Sequence, residues 1–302
     1  MNSIQLPSLP LDDWEETKNT LHLFLQVVGK IRLKLFPKTN HWWHVPFYVS
    51  CRGLTTRPIP YKDKLFDINF DFIDHQLVIQ CSDGPTQHFP LQGQSVASFY
   101  QQVLEILTGL GITVEIKAVP YDVPFSTIPF AKDDTHASYD PQYIEKYWHI
   151  LKFVDSVFEE FRGRFIGKST PVHLFWHHAD LALTRFSGKT APLVEGMGKA
   201  DQEAYSHEVV SFGFWAGDDM TREPAFYAYV YPEPEGIANE PFPVTGAQWR
   251  TDYGYTMAFM PYEVIRNTAD AKAALLNYLE GAYGIFASHA GWDIDAFEYS
   301  KA

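Results

Sequence analysis

Cysteine is scarce in this chain. Among 302 residues only Cys51 and Cys81 occur, which excludes a disulfide framework and a thiolate zinc site. Basic residues are also few: 24 Lys and Arg stand against 37 Asp and Glu, a net charge of −13. Phosphate contacts need basic surface, so nucleic acid is excluded as a general partner, and anionic membranes equally. No apolar run approaches the ~20 residues of a membrane helix. The first residues lack a basic region followed by an apolar one, so no signal peptide is read there. A soluble, cytoplasmic protein is the expectation. GxGxxG, P-loop, GxSxG and HExxH patterns are all missing. Nucleotide binding, α/β-hydrolase chemistry and zincin chemistry therefore have no motif behind them.

Apolar residues and rings are plentiful. The apolar fraction is 46%, with 8 Trp, 17 Tyr and 23 Phe. That is enough for a sizeable core, and such rings also line small-molecule pockets.

The stretch from Asn40 to Pro60 sets the organisation. It opens with two histidines and two tryptophans and then alternates like a strand over residues 43–52. Before it, residues 12–35 read as a helix, with Asp12 and Glu15 in capping-box spacing and Gly29 as an interruption. After it, strands are predicted over 65–72 and 76–82, joined by a turn at Asp74-His75. A helix capped by Ser95 should run to about Thr108, followed by a short strand over 112–116. Residues 118–139 carry Pro120, Pro124 and Pro129 and little periodicity, which predicts a connector. A helix over 140–165 follows. Strands are then expected at 171–178, 181–186, 206–214, 225–231 and 255–260, and a last helix capped by Asp270.

These elements predict an α+β fold with two lobes, 1–117 and 140–302, each a mainly antiparallel sheet with helices on one face. Both lobes read helix, strands, helix. His41 and His173, Arg57 and Lys189, and Pro60 and Pro192 all share an offset of 132, so an internal duplication is considered at the level of pattern.

The motifs Asn40-His41-Trp42-Trp43-His44-Val45-Pro46, Arg52-Gly53-Leu54-Thr55-Thr56, Thr184-Arg185-Phe186-Ser187-Gly188, Ala204-Tyr205-Ser206-His207-Glu208 and Pro224-Ala225-Phe226-Tyr227-Ala228-Tyr229 together resemble an uncharacterised, mostly bacterial family known only as a domain of unknown function. The resemblance covers nearly the whole chain. It implies an intracellular, single-chain protein of this length and brings no established activity or catalytic residue. One departure concerns His177, His178 and Ala179. The family pattern tends to Gly-Ser-Phe there, which weakens an essential role for the two histidines.

Four constellations carry chemistry. His41, His44, His173 and His207 form a candidate metal set, because neutral imidazoles with a carboxylate suit Zn, Fe, Mn or Ni. With Glu208, His44 and His207 are also the candidate catalytic residues. The bland alternative is that these rings bond to backbone beside large aromatics. In a second set, His44, Arg52, Asp67, Asn69 and Asp71, a carboxylate beside a histidine could serve as an acid–base pair, but the simpler and preferred reading is the solvent face of an antiparallel sheet. Third, Tyr227, Tyr229 and Tyr231 share one face of a strand, and Tyr227 and Tyr229, with Trp42, are candidate ligand-binding residues, the equal alternative for the tyrosines being cross-strand aromatic packing. Fourth, Arg57 and Arg185 sit beside hydroxyls and glycine, a setting that can hold a carboxylate or phosphate. Cys51 is expected to face the core.

The expected function is an aromatic-lined polar pocket for a small molecule, with metal-assisted hydrolysis as its most concrete form. The alternative is a non-catalytic ligand-binding or protein-interaction module, with the aromatic density serving subunit packing in an oligomer. A divalent metal such as Zn is the expected cofactor of the first version.

Overall fold

The computed structural model describes residues 5–192 and 196–299. They form two antiparallel sheets and seven α-helices, the α+β class expected from the sequence. The chain packs as two compact units. One comprises Leu9–Lys152 together with Leu174–Asp180. The other comprises Phe153–His173 and the chain from Leu181 onward, with a short N-terminal piece ending at Ser8.

In the first unit, α1 (Glu15–Leu35) precedes six strands: β1 (Tyr48–Val49), β2 (Gly53–Thr55), β3 (Ile59–Tyr61), β4 (Lys64–Asp71), β5 (Gln76–Cys81) and β6 (Thr86–Pro90). The sheet order is β1-β2-β4-β5-β6, with β3 also on β4. Alternation in β4 sends Phe66, Ile68 and Phe70 inward, with Phe70 6.2 Å from Phe99 of α2 (Val96–Gly109). Ser95 caps α2 as expected, accepting from Ser98 N at 3.2 Å. Phe24 of α1 stacks on Phe99 with centroids 4.0 Å apart.

Several expectations are corrected here. The strand predicted over 43–52 shrinks to Tyr48–Val49. The 3-10 turn at residues 40–42, with His41 and Trp42 at positive φ, continues into the predicted strand: Trp43 is helical, its N donating to Asn40 O at 3.2 Å, and Val45 N donates to Trp42 O at 3.1 Å, so residues 43–45 turn instead of extending. Residues 112–116 form no ladder, whereas β2, β3 and β6 had been missed because each is short. Cys51 is exposed, in the bend between β1 and β2. Asp12 does not cap α1, which begins at Glu15 behind Trp14. Gly29 does not interrupt the helix, for a packing reason given below. Residues 118–139 belong to the first unit, because Phe130 is buried in it and Gln26 grips Tyr121 there. The chain passes from one unit to the other within α3 (Pro141–Gly163).

In the second unit the sheet order is β11-β12-β10-β9-β8-β7. Its strands are β7 (His173–Phe175), β8 (Asp180–Thr190), β9 (His207–Trp215), β10 (Ala225–Tyr231), β11 (Gln248–Arg250) and β12 (Met257–Pro261). Its helices beyond α3 are α4 (Lys199–Ala204), α5 (Tyr262–Arg266), α6 (Ala271–His289) and α7 (Ile294–Phe297). Phe226, Ala228 and Val230 of β10 are buried on the helix side, where Tyr278 of α6 donates to Ala258 O at 2.9 Å. Residues paired at the offset of 132 fall in unlike elements: His41 in a 3-10 turn and His173 on β7, Arg57 in a loop and Lys189 near the end of β8. No helix among the described residues is long and apolar enough to cross a membrane.

Candidate functional site

The predicted site residues scatter over several local roles. His44 is buried, its Nδ1 3.2 Å from both N and O of Thr39, and its ring stacks on Trp42 at 5.4 Å. That is the bland alternative, a ring bonded to its own backbone. His41 is buried with its ring 5.7 Å from that of Trp43. His173 is buried on β7. His207 meets Ser206 Oγ through Nδ1 at 3.1 Å, whereas Glu208 accepts from Ser187 Oγ at 2.7 Å. Adjacent strand residues leave on opposite sides, so His207 and Glu208 do not act as one pair. Among the described residues, no group of three or more His, Cys, Asp and Glu is placed to hold a metal ion.

The arginines differ from each other. Arg57 is exposed, with its guanidinium 3.4 Å over the Tyr48 ring. Arg185 is buried on the helix side of β8, donating to Phe161 O at 2.5 Å, with the Phe161 ring 3.5 Å and the Tyr283 ring 4.5 Å from its guanidinium. It is a core cation held by ring faces, not the wall of an open cleft. Burial lowers its pKa to about 10, which leaves it charged. On the sheet face away from the helices, Tyr227 and Tyr229 stack at 6.0 Å, and Tyr229 and Tyr205 pair their hydroxyls at 3.0 Å. Arg52 of the second set binds buried Asp71 at 2.5 Å and exposed Asp74 at 2.6 Å, an ion-pair cluster at the edge of the surface.

A different constellation lies in the first unit, on α1. Residues 20–32 of this helix are buried without a break, so every polar side chain in that run must find a partner or lose its charge. His22, Gln26 and Lys30 recur at intervals of four and so form one stripe. His22 Nε2 lies 3.0 Å from Trp176 O and 2.9 Å from His177 O. Both are acceptors, so the proton sits on Nε2. Gln26 holds Tyr121 by both backbone groups, donating to O at 2.8 Å and accepting from N at 2.7 Å. Lys30 Nζ lies over two rings, 5.4 Å from Trp176 and 5.7 Å from Tyr121. It has no carboxylate or hydrogen-bond acceptor among the described residues.

Gly29 explains how this is packed. A Cβ at Gly29 would lie 2.3 Å from Cδ1 and Cγ of Trp176, so only glycine lets the indole rest against the helix. The stripe is covered by the segment 119–127. Tyr121 meets Trp176 at 6.3 Å and Phe125 meets His22 at 5.7 Å. The other residues of the segment, including Asp122, Pro124 and Ser126, line an open cleft of about 640 Å³. Asp122 Oδ2 also lies 2.9 Å from His178 Nε2, and the His178 ring is 4.3 Å from that of His177. On the far side of Phe125, buried Asp133 holds His136 by Nδ1 at 2.8 Å, an arrangement that orients an imidazole.

The electrostatics follow from burial. Loss of water, and then the charge of Lys18, pushes His22 down to about 3. Burial, with His178 and His22 nearby, likewise takes His177 to about 3. Burial, helped by Lys117, lowers Lys30 to about 8. Both imidazoles are therefore neutral at ordinary pH, and the Lys30 amine titrates close to it.

A sequence profile of a family of unknown function, DUF5996, matches residues 6–299. The chain belongs to that family. No curated protein and no solved structure matches it. Membership agrees with the resemblance read from the motifs, and the family's description carries no activity.

Sequence reading missed this stripe, although its signal was present. Polar residues every four positions among the apolar residues 21–31, with a glycine beside one of them, are compatible with a buried polar seam. His177 and His178 had been discounted as a departure from pattern. In the structure, the His177 carbonyl and ring are both part of the cluster.

Proposed function

We propose that the first unit binds a small molecule at the segment 119–127, between the cleft and the His22–Gln26–Lys30 stripe beneath it. One observation carries this reading. Two groups with strongly lowered pKa, His22 and Lys30, lie against a single surface segment that also bounds a cleft, a third, His177, adjoins His22, and such clustering is characteristic of working sites. A lysine buried without a counter-ion costs the fold on the order of 2 kcal/mol, allowing for the solvent that still reaches it. Two ring faces offset only part of that, at about 0.5–1 kcal/mol each. A residue kept at such a cost is more readily understood through what it does than through what it stabilises.

Metal-assisted hydrolysis has less support, since the donor set it requires is not gathered among the described residues. The tyrosines of β10 are the competing location for a ligand, because Tyr227 and Tyr229 are only half-buried.

Amide chemical shifts, followed during titration with phenol, indole and benzamide as probe fragments, separate the two. The proposal expects saturable shifts at residues 119–127 and 176–178. Shifts confined to β10, or none at millimolar fragment, would sink it.

A further inference from the structure

We infer that Lys30 is a nucleophilic amine that condenses reversibly with an uncharged, aromatic or apolar carbonyl compound. This deepens the reading of segment 119–127 as a small-molecule site and rests on it.

The geometry points to a reactive amine. Lys30 is buried to 7% exposure, and no acceptor among the described residues claims its protons. The nitrogen nevertheless keeps some contact with solvent. It is not among the sealed polar atoms without a partner, whereas Nε of Arg32, two residues along the same helix, is. Arg32 shows what a structural cation looks like here: its guanidinium donates to Thr56 O and lies 4.1 Å over the Phe36 ring. Lys30 has only the faces of Trp176 and Tyr121. The Trp176 face is buried and that of Tyr121 is open to solvent, and both disfavour an anion, so an uncharged aromatic or apolar body suits them best. Removal from water lowers the amine to about 8, so a useful fraction is unprotonated near neutrality.

The chemistry balances without a further reagent. The neutral amine adds to the carbonyl carbon and forms the C–N bond. The two amine protons then leave with the carbonyl oxygen as water, and an imine remains. No electrons are exchanged with any other group.

Reductive trapping tests this on the intact wild-type protein. Benzaldehyde with cyanoborohydride at about pH 7.5 should add a benzyl group to Lys30 roughly tenfold faster than to exposed Lys117, as read by peptide mass spectrometry. The rate at Lys30 should reach half its maximum near pH 8, where that of an ordinary lysine does so near ~10.4. Labelling of Lys117 with Lys30 untouched would overturn the inference. So would labelling of Lys30 with the pH dependence of an exposed lysine. If Lys30 fails these tests while phenol and indole still shift the amides of 119–127, the binding site stands and only the amine chemistry falls.

Discussion

Each unit has a glycine with an aromatic ring lying across it. In the first, Trp176 covers Gly29 of α1; in the second, Tyr227 covers Gly213 of β9. The approach is equally close, since a Cβ would stand 2.3 Å from Trp176 and 2.2 Å from Tyr227. The surroundings differ. Trp176 is 5% exposed and walled by Lys30, Tyr121 and His177. Tyr227 is half-buried and belongs to a row of rings whose polar ends are hydroxyls, as in the Tyr229–Tyr205 pair. An aromatic row carrying hydroxyls can satisfy its polar atoms with each other or with water. An aromatic wall over imidazoles and an amine cannot, so those groups change their protonation instead. The same packing device thus gives a quiet surface in one unit and a chemically poised seam in the other.

Acid should separate the two regions most strongly. His22 and His177 titrate at 6.5 when unfolded and at about 3 when folded, so the unfolded chain binds more protons between these values. Their contribution is whole above pH 6.5 and is lost as pH falls toward 3, by several kcal/mol in all at ~1.4 kcal/mol per unit. Hydrogen exchange at about pH 4 should show α1 and residues 174–180 opening while β10 stays protected. Uniform opening would erase the contrast. His22→Gln, which keeps a donor for the two carbonyls, should reduce the acid sensitivity in urea titrations.

Next in size is Gly29→Ala. The new methyl meets a ring with nowhere to go, and the expected loss is about 2–3 kcal/mol by denaturant unfolding, despite the better helix propensity of alanine. Gly213→Ala is the matched control. Tyr227 can swing toward solvent, so about 1 kcal/mol is expected there. Equal losses at the two glycines would show that the surroundings of the rings do not matter.

Lys30→Met sharpens the comparison from the other side. Removing a cation that has no partner should stabilise the protein at pH 7 by roughly 1–2 kcal/mol. The wild type should recover that difference as pH rises from about 8 to 10.5, where the unfolded chain alone holds the proton. A destabilised Lys30→Met protein would mean that the amine's ring contacts outweigh its desolvation. Smallest of all, Tyr229→Phe removes one hydroxyl of a pair and should cost less than about 1 kcal/mol in thermal unfolding.

Much of the fold was legible. β10 was predicted over its observed span, 225–231, because strict alternation of tyrosine with small or apolar residues has one reading. α2 and α6 were legible through Ser95 and Asp270, each of which accepts from the third residue onward. The candidate site was much less so. His41 and His44 stand out in the sequence because they lie three positions apart with two tryptophans between them. Local density of chemical residues says nothing about what each side chain meets, and His44 meets its own backbone.

What the sequence determined alone is periodic or compositional: the class of the fold, the long helices, the alternating strands, the acidic charge and the family. Each depends on residues near one another in the chain, or on simple sums. The seam had to wait for tertiary structure, because its parts come from residues 22–30, 117–127 and 174–178. The helix shows the spacing of its polar residues, but nothing in the sequence shows which segments cover them. Desolvation set the protonation of His22, His177 and Lys30, and desolvation exists only once distant segments have closed over them and water has gone.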